Sequence, residues 1–385
     1  MRAVTIADIA APEPRSIAIG PFGSALRADR YTSSGVPVVR GQNIGERWGL
    51  SIDDVVYVSR ETADEFPACV VRPGDLVFPH RGAIGRVARV DDQEWLLSSS
   101  MMKLTVDPDV ADSRFVLLYF RDKGRDELLN RASTVGTPGI GQPLTSLRSI
   151  PIPLPPLPDQ QAIAEVLGAL DDKIAANTAL VSQLEQISRT LILSTPTTEV
   201  ALGDIVEFHN RRRVPLSASQ REARPGAVPY YGANGQMATV DEPIFDEPLV
   251  LLGEDGSVVR EDGSPFVRYI WGPAWVNNHA HVLTGLGVST ELLSVLLVTA
   301  RVDTLVTGAV QPKLSMGNAK RIRLRVPEAA CLADLDRQVS ALIASQRCLA
   351  DQNRTLAATR DALLPQLMSG KLRVRDAVRV VEGEV

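Results

Sequence analysis

The sequence predicts an α+β chain of two pseudo-repeated mixed α/β globules separated by two long helices that pack on each other as a coiled coil. Three observations predict it. Short phrases recur in the same order in the two halves of the 385 residues. Two long segments carry apolar residues at a period of seven, the mark of a coiled-coil seam. Hydrophobic residues make up 44% of the chain, enough for a core in each globule.

The first globule, residues 1–154, opens on VTIADI (4–9), and the second, residues 197–326, opens on VALGDI (200–205). Both alternate apolar residues before an Asp-Ile pair. Near the end of each stands GIGQP (139–143) or GAVQP (308–312), with Gln142 and Gln311 separated by 169 positions. Each is followed by an alternating strand pattern, RSIPIPL (148–154) and KRIRLRV (320–326). The spacing between copies falls from 196 to 169, so the second globule is read as shorter by 27 residues.

The first helical spacer, residues 155–196, begins in a stiff proline-rich stretch, PIPLPPLPDQQ. Asp159 is a natural N-cap after Pro158, and Pro196 turns Thr195 away from helix. About 36 residues remain, roughly 54 Å at 1.5 Å per residue. The second spacer, residues 327–370, is read as a helix from Glu328 to Leu364, kinked or ended by Pro365 and closed by Gly370, with a tail over 371–385. Leu335, Leu342, Leu349, Leu356 and Leu363 repeat every seven residues, beside a companion row from Leu332 to Arg360. Ile163, Leu170, Ile174, Asn177 and Leu184 place the matching seam on the first helix, with Asn177 set equivalent to Gln346. Mutual pairing of the helices is preferred over two helices that merely cover the globules, because both seams are long.

Composition narrows the functional classes. Net charge is −5, so any nucleic-acid surface must be local. Three distant cysteines give no disulfide framework, and no 18-residue apolar run predicts a membrane span. The first residues lack the layout of a signal peptide, and a cytoplasmic protein is expected. Catalytic signatures are missing too. His279 and His281 have no cysteine or third histidine beside them for zinc. GTPGIG (136–141) is followed by Gln-Pro and a strand, not by the helix a phosphate loop needs. Ser369-Gly370-Lys371 lacks the flanking residues of an ATP-binding loop, and LPPL (154–157) lacks the Asn and aromatic residue of an amino-methyltransferase site. Asp171 and Asp172 read as surface charge. No cofactor and no metal are expected.

PLPPLPDQQAIAEVLGALDDKI and TRDALLPQLMSGKLRV, set in this two-fold layout, resemble the specificity subunit of type I restriction–modification enzymes. The resemblance covers nearly the whole chain. GPFGSAL (20–26), VVRGQNI (38–44), RPGDLVF (72–78), GAIGRVA (82–88) and SSSMM (98–102) are similar to recognition-domain segments, as are YYGANG (230–235), LLGEDGS (251–257), WVNNHAHVL (275–283) and VQPKLS (310–315). The resemblance implies two target-recognition domains and antiparallel pairing of the helices. It implies a non-catalytic subunit that reads a bipartite sequence in double-stranded DNA. The partners it implies are two methyltransferase subunits, with restriction/translocase subunits joining them, and no membrane. A rod of roughly 50–60 Å would space two readers by one to two turns of DNA. Pro327-Glu328-Ala329-Ala330-Cys331 departs from the proline-rich pattern at the start of the second helix.

Base edges are read best by Arg on guanine and by Asn or Gln on adenine. Candidate DNA-binding residues are Arg40, Gln42, Asn43, His80, Arg81 and Gln142 in the first domain, and Tyr231, Asn234, Asn277, Asn278, His279, His281 and Lys313 in the second. Gly41, Gly82, Ala83, Gly232 and Gly235 would let phosphates approach the backbone. The alternative is that Asn277, Asn278 and His279 satisfy buried backbone groups. Arg211, Arg212 and Arg213 read as a solvated loop rather than a clamp, whereas Arg321, Arg323 and Arg325 share one strand face and, with Lys320, suit phosphates. The competing functional classes are a methyltransferase, whose motifs are missing, and a protein-binding scaffold with two globular modules on a coiled-coil strut. DNA binding would separate from the scaffold by its salt dependence.

Overall fold

The computed structural model describes residues 2–22, 25–45, 49–133, 136–256, 258–308 and 311–382. Gly23 and Ser24 of the GPFGSAL segment, Ser257 of LLGEDGS, Ala309 and Val310 of GAVQP and the last three residues of the tail lie outside them. Two compact units form: residues 1–176 with 352–385, and residues 177–351.

In the first unit, Arg2–Thr5 pairs antiparallel with Pro151–Leu154, so the two ends of the globule close on each other beside the long helix. A four-stranded sheet runs in the order Ile17–Ile19, Met101–Leu104, Leu76–Pro79, Ala88–Arg89. A five-stranded sheet runs Tyr31–Thr32, Val56–Val58, Val36–Val39, Trp95–Leu97, Val70–Val71, with only Val36–Val39 and Trp95–Leu97 parallel. Fully buried strands such as Val36–Val39 and Leu76–Pro79 are continuously apolar, as burial on both faces requires. The helix Ser113–Arg121 starts where the Asp112 carboxylate accepts the amides of Arg114 and Phe115. Its Phe120 ring meets Phe78 edge-on at 4.8 Å.

The second unit repeats this plan. Thr197–Ala201 pairs with Arg323–Pro327. One sheet runs Val206–Phe208, Ala280–Gly285, Leu249–Gly253, Val267–Ile270. The other runs Gln236–Val240, Val228–Tyr231, Pro273–Val276, Phe245–Asp246, again with one parallel pair, Val228–Tyr231 on Pro273–Val276. Ser289 caps the equivalent helix, Thr290–Val298. The first globule adds the short edge strand Tyr31–Thr32, a second helix, Lys123–Asn130, and a two-stranded ladder of Ala132–Ser133 with Gly139–Ile140.

Hydrogen bonds fix which residues of the two copies correspond. The Ile6 amide donates to the Ile150 carbonyl, and the Leu202 amide to that of Ile322. Gln160 donates to Pro156 in the first turn of one helix, and Leu332 to Glu328 in the other. The starts therefore correspond at a spacing of 196, as expected (202 − 6), but the ends and the helices at 172 (322 − 150 and 328 − 156), not 169. Three residues are nearly one helical turn, so either spacing puts the apolar stripes in phase, and the sequence pattern alone could not choose. Asn177 and Gln346 are thus not equivalent. Nor are the two Gln-Pro pairs: the counterpart of Pro312 is Pro138, whereas Pro143 opens a short helix, Pro143–Arg148.

The long helices span Leu157–Leu193 and Ala329–Met368. The first begins two residues before the expected cap, because the amides of Asp159 and Gln160 donate to the Pro156 carbonyl. Asp159 lies in the first turn, where an acidic side chain favours the helix dipole. The second helix runs through Pro365 and ends at Gly370, whose φ of 69° is the left-handed stop. The expected tail is instead a helix over Val374–Glu382, with Ala377 and Val381 in the first core.

The helices pack antiparallel. In the first unit Asn353 Nδ2 donates to the Ile174 carbonyl at 3.4 Å, and Arg360 pairs with Asp171 at 2.7 Å. Numbers fall along one helix as they rise along the other. Ile163 and Leu170 share a core with Leu356, Leu363 and Leu367, and Ile174 packs at its margin. In the second unit Ile192 shares a core with Leu335, Val339 and Ile343. Leu184, Leu342 and Leu349 are half-buried, and Asn177 is buried. The helices also cover the globules: the first core contains Phe115, Ile150 and Ile152, and the second contains Leu293 and Leu324. Pairing and covering were set as alternatives, and the same side chains do both.

Candidate nucleic-acid interface

In the first globule three loops meet at one end of the sheets. Arg40–Ile44 makes a tight turn in which Asn43 Oδ1 accepts the Arg40 amide at 3.1 Å and Asn43 Nδ2 donates to the Asp53 carbonyl at 3.2 Å. His80–Arg86 follows the strand Leu76–Pro79. It is tied to the first loop by Arg86, which donates to the Ile44 carbonyl at 3.2 Å. Gly139–Gln142 bridges back to Arg81, with the Ile140 amide on the His80 carbonyl at 3.0 Å. Ser98–Ser100 props the group: the Ser98 amide donates to Val39 and the His80 amide to the Ser100 carbonyl.

This cluster divides the candidates by burial. Asn43 and His80 are buried and spend their polar atoms on the scaffold, His80 Nε2 on the Ser99 carbonyl at 3.0 Å. The Arg40 guanidinium donates to the Asp54 carbonyl. Gln42, Arg81 and Gln142 are exposed. Burial, opposed by the Ser99 hydrogen bond, holds the His80 pKa below its ordinary value.

The second globule builds the same end from its own loops. The Glu254 amide donates to the His279 carbonyl at 2.8 Å, and the Leu314 amide to the Glu254 carbonyl at 2.8 Å. Asp255 takes Lys313 Nζ at 3.0 Å, with His279 Nδ1 3.8 Å from its other oxygen. Arg213 joins Glu254 at 2.7 Å and the Ala280 carbonyl at 2.7 Å. Asn277 is buried: its Oδ1 accepts the His279 amide at 2.8 Å, while its own amide donates to the Tyr231 carbonyl at 3.0 Å. Asn234, Asn278, His279 and Lys313 are exposed, and Tyr231 is half-buried.

His281 is fully buried. Asn210 Oδ1 accepts the Val282 amide, which turns its Nδ2 to donate to His281 Nδ1 at 2.9 Å. The remaining ring N–H is then on Nε2 and donates to the Leu314 carbonyl at 2.8 Å. The imidazole is therefore a neutral strut, and burial is the main force that lowers its pKa. A buried base with a lowered pKa takes up protons more readily once unfolded. Its stabilisation is complete above the ordinary value of about 6.5 and is lost as pH falls from there toward the folded value. Each of His80 and His281 should cost at most about 1.4 kcal/mol per pH unit in that window. Urea titrations between pH 7.5 and 5 check this, and His281→Gln should flatten the slope of the second unit.

Of the arginine triplet, Arg212 joins Glu247 at 2.5 Å and lies over the Phe245 ring at 4.2 Å, while Arg213 is held as above. Arg213 is thus part of the scaffold, while Arg211 and Arg212 stay exposed. Arg323 and Arg325 are exposed on one face of their strand, with Leu324 and Val326 buried on the other. Lys320 and Arg321 instead end the preceding helix, Met316–Lys320. Asp171 is not plain surface charge, since it pairs with both Arg121 and Arg360. Sequence reasoning passed over Glu254, Asp255 and Asn210. A signal for the first two was the glycine after each polar pair, His80-Arg81-Gly82 and Glu254-Asp255-Gly256, with both glycines at positive φ of 77° and 86°. Among the described residues no group of three or more potential metal ligands gathers, and no helix is long and apolar enough to cross a membrane.

The chain is 28% identical over 144 residues to a putative type I restriction enzyme specificity subunit of Haemophilus influenzae. That match covers 37% of this chain, and the chain spans only 36% of that relative's length. The crystal structure of a type I restriction–modification S subunit from M. genitalium shares the fold, with a TM-score of 0.62, 17% identity and 95% of each chain covered. The family described as the type I restriction modification DNA specificity domain matches residues 23–186 and 196–337, one copy on each globule with its adjoining helix. Two matched copies over most of the sequence, on two globules of one topology joined to a pair of antiparallel helices, place this chain in the type I restriction–modification DNA specificity family.

Proposed function

We propose that this chain is the non-catalytic, cytoplasmic specificity subunit of a type I restriction–modification complex, in which each globule reads one half of a bipartite target in double-stranded DNA. The observation that carries this reading is the pair of loop clusters just described. They share one hydrogen-bonded frame but present different side chains, as two readers of different half-sites would. The domain limits follow the notional blocks 1–154 and 197–326 for recognition and 155–196 and 327–370 for the helices. Exposed Gln42, Arg81 and Gln142, and Asn234, Asn278, His279 and Lys313, are the proposed DNA-facing set, with Arg323 and Arg325 suited to phosphates. Two methyltransferase subunits would dock through the long helices, where Leu180 and Ile187, one heptad apart, stay exposed. Restriction/translocase subunits would join them, and catalysis would reside in these partners.

The test is selection from random duplex DNA by the chain co-purified with its methyltransferase partner. A motif split by a fixed spacer is expected, with affinity falling steeply as salt rises, through counterion release. A single continuous motif, or salt-insensitive binding, would count against the reading and favour a protein-binding scaffold.

A further inference from the structure

The loop frame makes a residue-by-residue comparison of the two globules possible. In the first, the Gly82 amide donates to the Pro138 carbonyl at 2.9 Å, and the Ile140 amide to that of His80 at 3.0 Å. In the second, Gly256 donates to Pro312 at 2.9 Å and Leu314 to Glu254 at 2.8 Å. The antiparallel bridges are Arg81 with Gly139 and Asp255 with Lys313. Arg81 therefore occupies the position of Asp255, and Gly139 that of Lys313.

The charges at this bridge are exchanged. The first globule has its cation on the strand-end loop, opposite a glycine. The second has its cation on the facing strand, opposite an acid. A methyl group added at Gly139 would lie 3.8 Å from Arg81 Cγ, an ordinary contact, so nothing steric forbids a side chain there. The guanidinium of Arg81 is exposed and forms no hydrogen bond or ion pair among the described residues. Lys313, about half exposed, is aimed by Asp255 at 3.0 Å. A solvated cation on a rigid, glycine-hinged bridge has little entropy to lose except its own rotamers.

We infer that Arg81 and Lys313, the cations on opposite sides of the corresponding bridge, are specificity-determining residues of the two globules, each reading a guanine edge in its own half-site, with Asp255 as the positioning residue for Lys313. This rests on the DNA-reading function proposed above. Arg offers a planar fork that matches guanine O6 and N7, and Lys offers a point charge to the same two acceptors.

The test uses the full chain with its methyltransferase partner and random duplex DNA, sequenced after selection. The wild-type arm comes first: without a split motif, the DNA-reading function itself fails. Given a split motif, Arg81→Ala should relax one G·C position in one half-site by roughly ten- to a hundredfold and leave the other half-site intact. Lys313→Ala should do the reverse. Asp255→Asn should weaken the same position as Lys313→Ala, and adding it to Lys313→Ala should change nothing further. Uniform weakening with unaltered base preferences, and a salt slope reduced by about one, would make these residues phosphate contacts and overturn the assignment. Unchanged motifs, or both variants acting on one half-site, would overturn it as well. Thermal melts of the variants keep misfolding apart from lost reading.

Discussion

Asp171→Ala is expected to cost the first unit about 3 kcal/mol of stability. The carboxylate sits between two guanidinium groups: Arg121, from the globule's helix, and Arg360, from the second long helix, at 2.7 Å. Arg121 is the costly member. Its side chain is only 8% exposed, and burial pushes its pKa down despite the pairing with Asp171. Burial also opposes the charge of Arg360, but hydrogen bonds to Asp171 and Asp361 outweigh it and hold that group above its ordinary value. Removing the acid takes an ion-pair partner from a buried cation that lies near a second cation, and breaking such a pair costs about 3–5 kcal/mol. The lower end applies because Asp171 and Arg360 remain 28% and 22% exposed. Urea denaturation of the full chain measures the loss. Replacing all three with apolar residues (Asp171→Leu, Arg121→Met, Arg360→Leu) should restore much of it, because the penalty lies in keeping charge buried. A triple variant as unstable as Asp171→Ala would show that the pairing itself carries the energy.

Leu356→Ala is expected to destabilise the first unit by about 2–5 kcal/mol, from lost transfer energy plus a cavity that its neighbours cannot close. Leu356 is fully buried among residues of three origins: the first long helix, the second long helix and the globule. Rigid backbone on all three sides restricts collapse, so the upper half of that range applies. Leu335→Ala, in the other core, should leave the first unit unchanged and lower the second. Hydrogen exchange reads the units separately. A loss shared equally by both units after Leu356→Ala would mean that the cores unfold as one.

Much of the fold was legible because it is periodic. Heptads from Leu335 to Leu363 and from Ile163 to Leu184 marked both long helices, and VTIADI and VALGDI marked the start of each globule. What periodicity could not supply was phase, since sliding the copies by three residues costs almost nothing in a 3.6-residue helix. The helix over Val374–Glu382 was read only as a tail, although Val374, Ala377, Val378 and Val381 lie on one stripe, because the segment is short and broken from the long helix by Gly370. The candidate interface was legible as segments and not as roles. Asn43, Asn277 and His281 have the chemistry of base readers, but a side chain's chemistry does not say which way the backbone turns it. All three proved to hold loops together. Gln42 and Asn278, their neighbours in sequence, face outward instead.

The first unit is discontinuous along the chain: its core needs Leu356, Leu363, Leu367, Ala377 and Val381 as well as residues before 176. A ribosome delivers the whole of the second unit between those parts. During synthesis the second unit can therefore complete itself while the earlier one still waits with Ile163, Leu167 and Leu170 uncovered. The piece made first is the piece finished last, and it is the one most open to chaperones and proteases on the way.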